Sequence, residues 1–143
     1  FSSDSLEELT DIIRDRCGGT LNHMVYVTGG SEAVESCLKL ALQYHAAKGN
    51  MSRRRFIARE RSWHGNTLGA LSVSGFLERK KAFEGSLLDV SRLSHANVYR
   101  PVAGATAETA GEACARGLED EILRMGADKI AAFIFTRSTT PLC

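Results

Sequence analysis

The sequence lacks an excess of charge of either sign, because its 18 Lys and Arg residues are balanced by 17 Asp and Glu residues. This near-neutral balance argues against a dedicated surface for nucleic acid or anionic membranes. The one basic cluster, at residues 53–55, is more typical of a solvated turn that enters a strand. No apolar run approaches the roughly 20 residues that a membrane-spanning helix needs. We therefore expect neither nucleic acid nor a membrane as a partner.

The cysteines show no metal-binding pattern. The four cysteines form no CxxC pair and have no histidine at metal-ligand spacing, so we expect no metal site. Their spread favours reduced, mostly packed thiols in an intracellular protein. We expect a cytoplasmic compartment, but the sequence begins with Phe1 and not with methionine, so a mitochondrial one stays open.

Apolar residues recur with two different periods along a chain that is long enough for one domain. Helical spacing occurs at residues 5–16, 31–48 and 108–125, and a shorter helix is predicted at 67–74. Short β-rich runs occur at residues 24–27, 56–58 and 130–135. This alternation predicts an α/β fold with a mostly parallel sheet and flanking helices. The wholly apolar run at 130–135 is typical of a central parallel strand, whereas residues 75–102 are irregular.

A glycine turn stands between the first predicted strand and the second predicted helix. Gly29 and Gly30 let a ligand approach the backbone closely, and Ser31 adds a hydroxyl donor. Unpaired N–H groups at the start of a helix favour an anion such as phosphate, so we expect a concave phosphate site here. The segment lacks the lysine of a P-loop and does not match GxGxxG. The residues alone fit a tight turn and a phosphate site equally well.

A second group of residues, Trp63-His64-Gly65, follows the predicted strand at 56–58. An indole on such a loop can stack on a flat ring, and Gly65 leaves room for that ring. Taken alone, a single tryptophan is more often a core residue than a stacking surface. His64 could donate a hydrogen bond to a ligand or orient the loop.

Together these segments resemble two motifs of the class III (omega) pyridoxal-phosphate aminotransferases. Residues 28–41 are similar to the "SGSEAVE…KLA" segment, and residues 63–72 are similar to the "YHGNTLGALS" segment, in the same order and at about the same spacing. The resemblance implies part of the large domain of a fold-type I transferase, with pyridoxal 5′-phosphate as cofactor. It implies that Gly30 and Ser31 hold the cofactor phosphate, that Trp63 covers the pyridine ring, and that His64 and Gly65 shape the cofactor wall.

The activity that the resemblance implies is transfer of an amino group between an amine or amino acid and a keto acid, in a homodimer. A decarboxylase or aminomutase of the same superfamily shares these motifs. A non-catalytic fragment or pseudoenzyme that only binds phosphate or cofactor is a further alternative. An unrelated nucleotide-binding α/β domain would have to match both motifs by chance.

The resemblance stops before the residues that carry the family's chemistry. The family's Schiff-base lysine and the aspartate that binds the pyridine nitrogen lie beyond the strand that ends here at Phe135. No lysine of this chain matches the Schiff-base position, so we assign no catalytic residue. We expect residues 1–135 to be a partial large domain and residues 136–143, which lack the family's Glu-Pro, to be a divergent tail of a truncated, alternatively spliced or frame-shifted chain.

Overall fold

The computed structural model describes residues 3–136, which form a three-stranded parallel sheet between helices. The four helices are α1 (Asp4–Arg16), α2 (Gly30–Ala47), α3 (Leu68–Val73) and α4 (Ala110–Met125). The strands are β1 (Arg55–Arg59), β2 (Val90–Leu93) and β3 (Ile130–Ile134), in the spatial order β2-β1-β3. Three short 3-10 segments span Leu77–Arg79, Lys81–Phe83 and Ala127–Lys129. The predicted α/β class with a parallel sheet is confirmed.

The core lies on both faces of β1, the central strand. Phe56 and Ala58 are buried on one face against Leu38 of α2 and Val73 of α3. Ile57 is buried on the other face, where α4 packs. Because side chains alternate along a strand, three consecutive apolar residues can fill two cores only where helices cover both faces.

Three predictions about strands need correction. Residues 24–27 belong to no strand, and Val25 is 69% exposed, because no described strand offers these residues a backbone partner. β3 is an edge strand of the described sheet and not a central one. β2 lies in the segment that the sequence leaves irregular. Its inner residues Ser91 and Arg92 are polar, which hides the strand from a search for apolar runs.

Helix α3 is short and deeply buried, and side chains from distant parts of the chain satisfy both of its ends. The carboxylate of Glu35 accepts hydrogen bonds from the backbone N–H groups of Gly69 (2.9 Å) and Ala70 (3.3 Å). At the other end, Lys80 Nζ and Arg92 Nη2 donate to the carbonyl of Ser72 at 2.7 and 3.0 Å. A carboxylate at the N-terminus and cations at the C-terminus both complement the helix dipole.

Within residues 3–136, none of the helices has the length and apolar character needed to cross a membrane. Most of the tail predicted to diverge, residues 137–143, lies outside the described residues.

Candidate functional site

The first turn of α2 leaves its backbone N–H groups open to a ligand. The helix begins at Gly30, and its N-cap residue, Gly29, has no side chain that could accept a hydrogen bond from them. A Cβ atom on either glycine would meet no heavy atom within 4 Å. Both glycines are therefore exposed, with open space around them within the described residues. The unpaired N–H groups and the positive end of the helix dipole still favour an anion.

Glu32 lies in the same turn, but its carboxylate is bound elsewhere. It accepts hydrogen bonds from the backbone N–H of Thr28 at 2.9 Å and from the Thr28 hydroxyl at 2.6 Å. These two hydrogen bonds lower the pKa of Glu32, the side-chain bond being the larger cause. The acid thus folds back onto the residues before the helix and leaves the helix N–H groups unoccupied.

The loop after β1 contacts this turn through Ser31. The backbone N–H of Asn66 donates to Ser31 Oγ at 3.0 Å. The preceding Gly65 has φ +138°, and a Cβ atom there would lie 2.5 Å from Ser31 Oγ and 2.9 Å from Ser31 Cα. Only glycine allows so close an approach. Because Ser31 Oγ accepts from Asn66, its own hydroxyl proton remains available for a ligand.

Trp63 lies on this loop, at the carboxyl end of β1, where the sequence predicts it. Its side chain is 42% exposed, so it is not a core residue within the described structure. The guanidinium carbon of Arg79 lies 4.7 Å from the centre of the indole ring. A cavity of about 370 Å³ lies beside the loop, between Glu60, Arg61 and residues 75–79. Parallel α/β sheets bind ligands at this end of their strands.

His64, the predicted site residue next to Trp63 in the loop, lies in the interior. Only 7% of it is exposed, and its backbone N–H donates to the hydroxyl of Ser74 at 3.0 Å. Its Nε2 atom is buried and has no hydrogen-bond partner among the described residues. Burial, and to a lesser degree the charge of Lys80, lowers its pKa and so favours the neutral imidazole. The structure thus brings Gly30, Ser31 and the Trp63 loop together, but the His64 side chain is buried and does not face the exposed side of that loop.

The sequence did not indicate the residues that hold the loop and α3 in place. Glu35 and Gly69 could have been paired from their spacing only if the packing of α2 on α3 were known. Lys80 is 5% exposed, and its pKa is lowered to about 8 by burial and by the charge of Arg92. A buried lysine with a nearby arginine has no signature in the sequence, because charged residues are ordinarily exposed.

Chemically, this arrangement can bind a phosphate ester at the start of α2 and a flat ring at the Trp63 loop. Among residues 3–136, no group of three or more His, Cys, Asp or Glu side chains could hold a metal ion.

Comparison with known proteins finds similarity to aminotransferases. The family model described as "Aminotransferase class-III" matches residues 1–137. An uncharacterized aminotransferase of Schizosaccharomyces pombe is 40% identical over 136 residues, which cover 94% of this chain and 30% of the relative. A thermostable (S)-enantioselective omega-transaminase from Thermomicrobium roseum superposes with a TM-score of 0.83 at 30% identity, over 92% of this chain and 30% of that one.

A PLP-bound amine transaminase from an uncultivated Pseudomonas species superposes with a TM-score of 0.80 at 29% identity, over 94% of this chain and 31% of that one. The chain therefore spans about 30% of the length of the curated relative and of the solved structures named here.

Proposed function

This chain belongs to the class III aminotransferase family, and we propose that its glycine turn and Trp63 loop bind pyridoxal 5′-phosphate for amino-group transfer. The observation that carries the proposal is the hydrogen bond from Asn66 N–H to Ser31 Oγ. It joins an open helix N-terminus, which suits a phosphate, to a loop with a half-exposed indole, which suits an aromatic ring. A phosphorylated pyridine carries both groups in one molecule.

In this proposal each residue has a separate role. The backbone N–H groups of Gly30 and Ser31, with the Ser31 hydroxyl, bind the phosphate. Trp63 stacks on the pyridine ring, and Gly65 keeps the loop close to the turn. His64 supports the wall from behind, as a neutral residue that adds no charge. When bound, the cofactor supplies an electron sink for a carbanion on the substrate.

The activity of a whole protein that contains these residues is part of the proposal. An amine or amino acid would be the amino donor and a keto acid the acceptor. We also propose a homodimer. In its support, α1 has no buried residue, and Leu9 and Ile12 on it are 45% and 51% exposed. Apolar surface of this kind is typical of an interface. Cys17, Cys37 and Cys114 form no disulfide among the described residues, and two of them are exposed, which fits a cytoplasmic or mitochondrial compartment.

Binding without catalysis is a second candidate function for these 143 residues, and one observation favours it. Lys80 is the one buried lysine of residues 3–136, and its Nζ donates to the Ser72 carbonyl behind the loop. It is therefore not displayed at the turn or at the exposed indole, where a lysine would have to meet the cofactor.

The proposal is tested by titration with pyridoxine 5′-phosphate, which has the cofactor's ring and phosphate but no aldehyde that could react with lysines. Trp63 is the single tryptophan of the chain, so its fluorescence reports the loop directly. We expect saturable quenching that inorganic phosphate reverses by competition. Quenching that does not saturate, or that phosphate leaves unchanged, would refute the proposal.

Gly30→Ala tests the phosphate half of the site. Its Cβ atom meets no neighbour in the free chain, so folding should be preserved while a phosphate close to the backbone is displaced. Gly111→Ala is the matched control, because Gly111 also lies in the first turn of a helix with open space around it. We expect Gly30→Ala alone to weaken binding.

A further inference from the structure

Arg79 is placed by two aromatic rings. Its guanidinium carbon lies 4.7 Å from the ring centre of Trp63 and 5.6 Å from that of Phe76. A planar guanidinium stacks on aromatic faces and is attracted by their quadrupole. The adjacent Glu78 is paired with Lys81 at 2.8 Å, and no ion pair of Arg79 occurs among the described residues. The rings are therefore the contacts that fix its position.

The backbone explains why these side chains meet. Gly75 N–H donates to the carbonyl of Ser62 at 2.8 Å, and Arg61 N–H donates to the carbonyl of Gly75 at 3.1 Å. This pair of bonds joins the loop that carries Trp63 to the segment that carries Phe76 and Arg79. A Cβ atom at Gly75 would lie 2.6 Å from the carbonyl carbon of Glu60, so no larger residue permits the junction.

An indole ring has two faces, and Arg79 covers one of them. We propose that Arg79 is a positioning residue: it backs the indole of Trp63 and leaves the opposite face as the surface on which a flat ligand stacks. This inference rests on the proposed cofactor site, and it adds a residue and a defined face to it. Arg79 acts through Trp63 and does not bind the phosphate.

The ring and the phosphate of the ligand should respond differently to the removal of Arg79. Removal of Arg79 releases the indole, so a ligand that uses the ring should lose affinity. Inorganic phosphate, which uses only the turn at Gly30 and Ser31, should bind as before. A stacking contact of this exposed kind corresponds to an effect of about two- to fivefold in affinity.

The experiment compares Arg79→Ala and Arg79→Lys with the wild type in the full 143-residue chain. Lys81→Ala is the matched control, because it removes one positive charge from the same exposed segment without touching Trp63. Trp63 fluorescence follows the binding of pyridoxine 5′-phosphate, and competition gives the affinity for inorganic phosphate. Acrylamide quenching of the ligand-free chain measures how well Trp63 is covered.

We expect Arg79→Ala to make Trp63 more accessible to acrylamide, to weaken pyridoxine 5′-phosphate about two- to fivefold, and to leave phosphate affinity unchanged. The effects of Arg79→Lys should be intermediate between the wild type and Arg79→Ala, since an ammonium group keeps the charge but cannot cover a ring face. Tighter ligand binding by Arg79→Ala would show that Arg79 competes for the ligand's face and would overturn the inference. Unchanged affinity, or an equal effect of Lys81→Ala, would also overturn it.

If the wild type itself binds no pyridoxine 5′-phosphate, the proposed cofactor site fails and Arg79's role fails with it. The acrylamide result would then still show whether Arg79 covers the ring.

Discussion

The carboxylate of Glu35 fills the space in which a side chain of residue 69 would begin. A Cβ atom on Gly69 would lie 2.7 Å from Glu35 Oε1 and 2.8 Å from its carboxyl carbon. The same oxygen accepts the backbone N–H of Gly69 at 2.9 Å. The absence of a side chain at one position thus allows the carboxylate of the other to reach the start of α3.

Gly69→Ala should lower the free energy of unfolding by about 1–3 kcal/mol, because the new methyl group displaces the carboxylate. Glu35→Ala should cost a similar amount, since it leaves N–H groups at the start of α3 without an acceptor. Urea denaturation measures both. The double variant should lose less than the sum, because Glu35→Ala removes the atoms that the methyl group meets. Strictly additive losses of unfolding free energy would contradict the contact between residue 69 and the Glu35 carboxylate.

Gly65→Ala should uncouple the Trp63 loop from the turn at Ser31. Two causes act together: a strained positive φ, and a Cβ atom 2.5 Å from Ser31 Oγ. Gly85→Ala separates them, because Gly85 also has a positive φ, 88°, but no atom within 4 Å of its Cβ. Strain alone costs on the order of 1 kcal/mol. We expect Gly65→Ala to lower the free energy of unfolding by more than this and to shift the fluorescence emission of Trp63. Gly85→Ala should leave the emission unchanged.

Lys80 should make the stability of the chain depend on alkaline pH. Burial lowers its pKa from 10.5 to about 8 in the folded state. Between these values the unfolded chain binds more protons than the folded chain, so stability rises as pH increases from about 8 to 10.5. Equivalently, stability is lost as pH falls through that range.

Other groups titrate in the same range, so the measurement is the difference between the wild type and Lys80→Met. The variant keeps the length of the side chain, and Arg92 still donates to the Ser72 carbonyl. We expect its free energy of unfolding, followed by urea denaturation at several pH values, to rise less between pH 8 and 10.5 than that of the wild type. Parallel curves would mean that Lys80 is not desolvated.

Residues 1–143 alone should not transaminate. The resemblance provides no match here for the Schiff-base lysine, and a loosely bound cofactor without an aspartate at its pyridine nitrogen is poorly activated. The measurement combines pyridoxal phosphate, several amine donors and a keto acid, and follows amino-group exchange. Turnover that disappears when one lysine of the chain is replaced would refute this prediction. Weak cofactor binding that does not depend on any lysine would agree with it.

The sequence predicts those elements whose pattern depends only on their own residues. The sequence predicts a helix at residues 31–48, and α2 occupies Gly30–Ala47, because its apolar spacing and its flanking glycines are local signals. The run at 24–27 has strand-like residues, but a strand also needs a neighbour, which a local pattern cannot supply. β2 was missed for the opposite reason. Arg92 and Ser91 find their partners, the Ser72 carbonyl and Glu121, only after the chain has folded.

The residues of the candidate site also differ in whether the sequence alone can identify them. Gly30, Ser31 and Trp63 are candidates from the sequence because the two family motifs contain them, whereas the glycine turn and the lone tryptophan leave a structural alternative open. The roles of Glu35, Gly75 and Arg79 could not be identified, because each acts on a residue between 13 and 34 positions away. The buried position of His64 likewise depends on Ser74 and Lys80, which pack behind the loop.

The two-ended binding of α3 has a consequence for local motion. Its N-terminus is bound by Glu35 of α2 and its C-terminus by Lys80 and by Arg92 of β2, so α3 cannot open without disrupting contacts to an outer helix and to the sheet. Six residues that would not form a stable helix by themselves become part of the same cooperative unit as the core. Their backbone amides should therefore exchange with deuterium only through global unfolding, whereas those of the exposed helix α1 should exchange through local fraying.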